Sequence, residues 1–571
     1  MNQAPGHPAR LSRMRISALL AILAAAVALA FVIYSRVIVP AGPLDWDEGF
    51  HALHGLRAAT EIREGDLFRL AYDVYRSVYW PPLHALYSGV FLLSFGATAE
   101  VARTSSLAAY VAAAGLLALA ALRVRGTVAA LVAGFGFLLS PLAAKLAGKS
   151  LLEIPALALF SLALFLYVDG RRPVLLGLSV FATYLTRTNY GVLLALGLTG
   201  AFAIDGALGT KLSDGDLRRS ARRDALRALT ALAVPLALWF AYTPKIGHTL
   251  AALVNLPTGP SRFGVEGLLY YPRAAVKLAG SLPLLLVYSA VFALSLSPRA
   301  LRDRSVRLVA FLALLQILFA EISHTKLDRH ILPLAVLFPF LLGVMAEDVR
   351  GRGNAAVKTS MAGVFALLVA LQVPALFAFL TPATTRGGET VRIAVVREMS
   401  RGGRTAFVAS EDALVPPATC DFALVSGGAI PLGGAGALRT TSELRLAESA
   451  ATLPGPVGRW IRAEADRWPG AGSYSAYVGL PRGDAALRLT TGSAPVRLAA
   501  LLARFPVDRI VALADPEGTS FPVTPEFLER LIAPLGFGLE SSLRPVPGTA
   551  LLTFRKLVPP ARAPAPGPPA P

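Results

Sequence analysis

Read from its N-terminus, the chain is a succession of long apolar runs broken by short polar, mostly basic connections. The first run, residues 16–40, follows a basic segment with Arg10, Arg13 and Arg15, and is long enough to cross a bilayer core of ~30 Å. A basic start before an apolar run resembles a cleavable signal peptide, and small residues lie around Ala24 and Ala30. The apolar runs that follow favour an uncleaved first helix instead. Further spans are predicted at 104–122, 127–147, 154–168, 174–186, 190–204, 228–242, 274–296, 306–322, 331–346 and 360–380. On a hydropathy reading this makes about eleven transmembrane helices. Several fall short of ~20 residues and must tilt or borrow flanking residues.

Loop charge orients the array. With the N-terminus in the cytoplasm, the inside connections hold Arg123 and Arg125; Arg171 and Arg172; Lys211, Arg218, Arg219, Arg222, Arg223 and Arg227; Arg299, Arg302, Arg304 and Arg307; and Arg350, Arg352 and Lys358. The outside connections hold isolated cations: Lys149, Arg187, and Lys326 with Arg329. This bias matches the positive-inside rule, and an odd number of spans puts the C-terminal region outside. Residues 80–95 are apolar, but a full span there would invert every later loop. They are read as an interfacial or re-entrant helix, with Tyr72, Tyr75, Tyr79, Trp80 and Tyr87 at headgroup level.

The expected organisation is a polytopic α-helical membrane domain over residues 1–380, whose first extracytoplasmic loop, 41–103, carries interfacial helices. A small extracytoplasmic α/β domain follows over 381–557, and a Pro/Ala-rich tail, expected to be disordered, over 558–571. In the second domain, strands are predicted at 405–409, 474–480 and 509–514, helices at 444–453, 495–505 and 524–533, and a hairpin over 543–554.

Composition agrees with the pattern. Of 571 residues 54% are hydrophobic and 16% charged, and mean hydropathy is +0.57, which argues against a soluble enzyme and against disorder. The net charge of +19 would suggest nucleic acid in a soluble protein. Here much of it sits in the cytoplasmic loops, so it sets topology and contacts membrane lipids, and no nucleic-acid partner is expected. A single cysteine, Cys420, excludes an intrachain disulfide and a Cys-based zinc site. No Walker, GxGxxG, GxSxG, HExxH or CxxC pattern occurs, so a nucleotide site has no support.

Candidate chemistry collects on the outer side. Asp45, Asp47 and Glu48 lie together at the mouth of the first helix, where a carboxylate can serve as a general base toward a hydroxyl. The same residues also suit a solvated loop with Asp47 capping a helix that starts near Gly49. Asp47, His51 and His54 share a helical face and, with Glu48 or His84, offer ligands for a divalent metal; a polar stripe facing water is the commoner outcome. Glu153, Arg187, Lys326, Asp328, Arg329 and His330 fall at span ends. Each suits an interfacial anchor, and together they suit an anionic, lipid-linked substrate.

Taken in order, Trp46-Asp47-Glu48, Pro81-Pro82-Leu83, Gly96 with Arg103, Leu152-Glu153-Ile154-Pro155, Leu185-Thr186-Arg187 and the run from Lys326 to Pro333 resemble the GT-C glycosyltransferases. The nearest branch is the protein O-mannosyltransferase and lipid A aminoarabinose transferase group, and the resemblance covers most of residues 1–380. It implies a hexosyl- or pentosyltransferase of the plasma or bacterial-type inner membrane. The donor would be a polyprenyl-phosphate sugar and the acceptor a hydroxyl on a lipid, glycan or protein outside the membrane. By carry-over Asp47 matches the catalytic base, Glu48 the second acid of its motif, Glu153 the second-loop acid, and Arg187, Lys326 and Arg329 the donor-phosphate contacts. Two positions depart: Trp80 stands where many relatives have Lys, and His330 where Tyr is frequent. The rival readings are a lipid or sugar transporter or flippase, which would need polar or broken helices at mid-membrane, and a non-catalytic scaffold of the same fold.

Overall fold

The computed structural model describes residues 13–41, 44, 46–76, 81–208, 215–241, 264–323, 326–352, 369–380, 388–399, 401, 405–410, 475–480, 507–514 and 524–557. Asp45, Tyr79, Trp80, Cys420, the predicted helices 444–453 and 495–505 and the tail 558–571 lie outside them. The chain divides into two compact units, Met1–Ala41 with Ile62–Ala383, and Gly42–Glu61 with Thr384–Pro571.

The first unit is helical, and every predicted apolar run meets a helix there. Among the described residues four helices are long and apolar enough to cross a membrane: Arg13–Ile38, Ala99–Val124, Arg304–Ile322 and Asp328–Arg350; the number rises to six if each of two bent pairs is one span. Its core is rich in alanine. Ala113, Ala114, Ala118 and Ala121 are buried on Ala99–Val124, which packs along Glu153–Asp169, because small side chains let apolar helices approach closely. The helix Pro82–Phe95 packs on Ala99–Val124 and Pro173–Thr186, and Tyr87 donates to the Ser105 carbonyl at 2.8 Å. Its 14 residues reach ~21 Å, as do those of Pro173–Thr186, each short of a bilayer core of ~30 Å.

Two runs predicted as single spans are broken. Thr127–Leu138 and Pro141–Ala147 meet at 62°, and Val265–Ala279 and Leu282–Ser295 at 104°. Pro141 forces Ser140 into an extended conformation (ψ 112°) that ends the first helix. At the second break Gly280 takes φ +85°, its N–H closing the helix on the Val276 carbonyl, and Pro283 opens the next helix. The breaks touch: Ser140 Oγ donates to the Leu278 carbonyl at 2.8 Å, and a Cβ at Gly280 would stand 3.1 Å from Pro141 Cγ.

Ion pairs join the connections predicted to lie inside. Arg123 meets Asp169 at 3.6 Å, Arg125 reaches Asp303 at 2.6 Å and Asp348 at 2.8 Å, and Arg304 meets Asp205 at 3.2 Å, with Arg307 on the same carboxylate. Glu347 accepts from the Val128 N–H at 2.8 Å, supplying the anion that the start of Thr127–Leu138 favours.

The second unit contains a five-stranded sheet in the order β2-β1-β3-β5-β4, from β1 (Thr405–Ser410), β2 (Ser475–Leu480), β3 (Arg509–Ala514), β4 (Phe537–Leu543) and β5 (Ala550–Lys556). β2, β1 and β3 are parallel, and β3, β5 and β4 antiparallel. β3 is central and buried from Ile510 to Ala514, which is why it reads as a continuous apolar run. The expected hairpin is longer than 543–554: its strands flank Arg544–Thr549, where Gly548 turns at φ +81°. Thr524 caps Pro525–Ile532 by accepting from the Phe527 N–H at 3.2 Å. Buried Glu398, from the helix Gly388–Met399, binds Arg401 at 2.9 Å and Arg509 at 3.4 Å.

Candidate functional site

The predicted site residues fall into three groups. Glu153, Arg187 and Arg329 come together in the first unit. Glu153 opens the helix Glu153–Asp169, ahead of the apolar run 154–168, with its side chain fully buried. Arg187 is the extended residue between Pro173–Thr186 and Thr188–Leu208, and Arg329 lies in the short turn Asp328–Ile331. Arg187 Nη1 and Arg329 Nε stand 3.3 and 3.4 Å from the same oxygen, Glu153 Oε1. Neither arginine contact with the Glu153 oxygens is a hydrogen bond. Burial alone would raise the Glu153 carboxyl; the charges of Arg187 and Arg329, with smaller contributions from its own backbone N–H and from His330, bring it below its ordinary value instead.

Side chains from three helices hold the turn that carries Arg329. Tyr190 donates to the Arg329 carbonyl at 2.9 Å, Gln316 to the His330 carbonyl at 2.8 Å, and the Tyr271 hydroxyl is 3.3 Å from His330 Nδ1. Tyr190 lies on the helix that starts directly after Arg187, so one hydroxyl ties the two arginines' backbones together. Lys277 completes the rim by pairing with Asp328 at 2.8 Å.

Lys326 is turned inward. Its Nζ donates to the carbonyls of Ala320 and Glu321 at 3.2 and 2.9 Å, lies 3.6 Å from the Glu321 carboxylate and sits 4.7 Å from the centre of the Tyr271 ring. It thus closes the C-terminal end of Arg304–Ile322. Tyr190, Tyr271 and Gln316 were not expected from the sequence. A glutamine inside the apolar run 306–322 was the one available signal, since polar groups in spans are costly unless they have partners.

Asp47, Glu48, His51 and His54 belong to the helix Trp46–Glu64, most of which lies in the other unit. That helix begins at Trp46, so Asp47 and Glu48 occupy its first turn, where the helix dipole favours carboxylates; Asp47 is not its cap. The expected water-facing stripe is corrected: Glu48 and His51 are buried, and only Asp47 and His54 remain partly exposed. His84, on Pro82–Phe95, is buried as well. Among the described residues no group of three or more His, Cys, Asp or Glu side chains is arranged to hold a metal.

The fold is similar to that of several solved structures. ArnT from Cupriavidus metallidurans, a lipid A aminoarabinose transferase, superimposes in its apo state with a TM-score of 0.55 at 15% identity, over 94% of this chain and 98% of that one. The same protein bound to undecaprenyl phosphate gives 0.52 at 16% identity over 92% and 97%. The archaeal oligosaccharyltransferase AglB from Archaeoglobus fulgidus, in complex with an inhibitory peptide and a dolichol-phosphate, gives 0.53 at 12% identity over 88% of this chain and 70% of that one. At these identities the likeness is one of fold. No protein-family model and no curated protein matches the sequence.

Proposed function

We propose that this protein is a membrane glycosyltransferase that moves a sugar from a polyprenyl-phosphate donor to an acceptor hydroxyl on the extracytoplasmic side. The observation that carries the reading is the convergence of Arg187 and Arg329, from separate connections, on one buried carboxylate. Such a pair offers fixed N–H donors to a phosphate, and planar guanidiniums suit phosphate oxygens. The likeness to one structure that holds undecaprenyl phosphate and another that holds a dolichol-phosphate supports a lipid-linked donor.

In this reading Asp47 takes the proton of the acceptor hydroxyl as its oxygen attacks the anomeric carbon. The bond from that carbon to the phosphate oxygen breaks, its electron pair stays on the phosphate, and Arg187 and Arg329 stabilise the charge that develops there. Glu48 is the second acid of the motif. Lys326 supports Arg329 through the Tyr271–His330 contact while adding positive charge behind the phosphate. The N-terminus lies in the cytoplasm, about eleven helices span the membrane, and the sheet-bearing domain lies outside. The acceptor is a lipid, glycan or protein.

The test is transfer by the purified protein from polyprenyl-phosphate sugars, with Asp47→Asn expected to lower it by roughly 10²–10⁴-fold at unchanged membrane expression. Full activity in that variant removes Asp47 from the role of base. Transport of labelled lipid without any glycosyl transfer would replace the enzyme with a flippase.

A further inference from the structure

Three helix ends meet on the side where the basic connections are predicted to lie inside: the ends of Glu153–Asp169 and Thr188–Leu208 and the start of Arg304–Ile322. Arg304 joins them. Its guanidinium lies 4.3 Å from the centre of the Tyr167 ring and 5.9 Å from that of Phe202, and its Nε meets Asp205 at 3.2 Å. The rings and the carboxylate fix the plane of the guanidinium, while the side chain stays 49% exposed. Among the described residues nothing accepts from Nη1 or Nη2, the edge that can grip a phosphate through two parallel N–H bonds.

The same cluster has more donors than acceptors. Arg307 shares Asp205 and gives Nη1 to the Leu301 carbonyl at 2.8 Å, but its Nε is buried and unmatched. The Tyr167 hydroxyl is buried and unmatched as well. Buried polar groups are ordinarily paired, and here one carboxylate serves two guanidiniums. Around them Arg171 and Arg172, just beyond the helix that carries Tyr167, and Arg299 and Arg302, just before Arg304, are exposed. None of the four takes a carboxylate partner among the described residues. On both flanks these cations give way to exposed apolar side chains, Val174 and Leu175 after Arg172, and Leu294 and Leu296 before Arg299. Unpaired cations bordered by exposed apolar surface suit a ligand that carries both a phosphate and acyl chains, and basic pockets between spans take such headgroups.

We propose that Arg304, stacked on Tyr167 and held by Asp205, is the centre of a binding site for the phosphate of an anionic phospholipid, in the leaflet that these connections face. Tyr167 stands 14 residues along its helix from Glu153, so the two sites are about 21 Å apart. The lipid site therefore does not depend on the glycosyl-transfer reading. Its phosphate takes the Arg304 Nη edge, Arg302 and its neighbours supply the surrounding charge, and the acyl chains run along the exposed apolar side chains.

Equilibrium binding of radiolabelled phosphatidylglycerol to the purified full chain in detergent tests this, with phosphatidylcholine of the same acyl chains for comparison. Phosphatidylglycerol should bind about tenfold more tightly, and Arg304→Gln should remove most of that preference while leaving phosphatidylcholine unchanged. Arg302→Gln, which has no partner to lose, is expected to weaken phosphatidylglycerol about threefold, and serves if Arg304→Gln does not fold. Arg123→Gln is the control: this cation lies on the same predicted side but is paired with Asp169, so its loss should change binding less than about twofold. Millimolar inorganic phosphate should not displace the lipid. Equal affinity for the two lipids, unchanged binding in Arg304→Gln, or an equal loss in Arg123→Gln overturns the inference. Displacement by inorganic phosphate overturns it too, and gives the site to a soluble phosphate instead.

Discussion

Two clusters of arginines and carboxylates in the helical unit use the same residue types to opposite ends. Around Arg125 the contacts are closed: Nε meets Asp348 at 2.8 Å, Nη2 meets Asp303 at 2.6 Å, and both carboxylates are partly open to solvent. Around Glu153 the carboxylate is fully buried, and its contacts with the two arginines are 3.3 and 3.4 Å. The first cluster is satisfied and fastens helix ends. The second brings two guanidiniums from separate connections to one buried oxygen. Bond length and burial, more than the number of charges, separate the two clusters.

The contrast makes unequal demands on substitutions. Arg329→Gln removes a donor from the proposed phosphate site and should lower turnover of a polyprenyl-phosphate sugar by roughly 10²–10³-fold; radiolabelled donor in purified protein measures it, and a loss under threefold would erase the distinction. Arg125→Ala should act on stability alone. After discounting for solvent exposure it costs about 1–2 kcal/mol, seen as a lower melting temperature in detergent with unchanged turnover per folded molecule. Tyr190→Phe breaks the tie between the arginines, worth ~1 kcal/mol, and should raise KM for the donor about fivefold while leaving kcat within twofold.

The smallest effect is one of pH. Because the Glu153 carboxyl lies below its ordinary value of 4.5, its contribution to stability is complete above that value and is lost only as the pH falls through the lower, folded-state value. The difference in melting temperature between wild type and Glu153→Gln should therefore stay constant from about pH 6 to 8 and change only in more acidic solution. A change near neutrality would mean that Glu153 is not held ionised by its arginines.

The sequence made these regions legible to different depths. Apolar runs located the helices, since backbone groups in lipid must bond within their own segment. Averaging over those runs hid the breaks at Pro141 and Gly280, which interrupt direction without interrupting hydropathy. Glu153, Arg187 and Arg329 could be grouped because each ends a span on one predicted side. Tyr190 and Gln316 could not, as both donate to backbone carbonyls, which leave no residue-type signal in the partner. Helical spacing put Asp47, His51 and His54 on one face but said nothing of what covers it, and His51 is buried. In the sheet, β3 was read at its full length because a central strand is apolar throughout, whereas β4, an edge strand with exposed Leu539 and Leu543, began six residues before the expected hairpin.

The meeting of the two helix breaks has a consequence for how such a chain can vary over time. Ser140 and Pro141 in one break and Leu278 and Gly280 in the other share a hydrogen bond and a close approach, although they lie far apart along the chain. Neither can be straightened or lengthened alone, for a side chain at Gly280 would press on Pro141. Among descendants of this sequence Gly280 should therefore stay glycine whatever happens at Pro141, since its φ of +85° strains any side chain there, and the close approach adds to that cost.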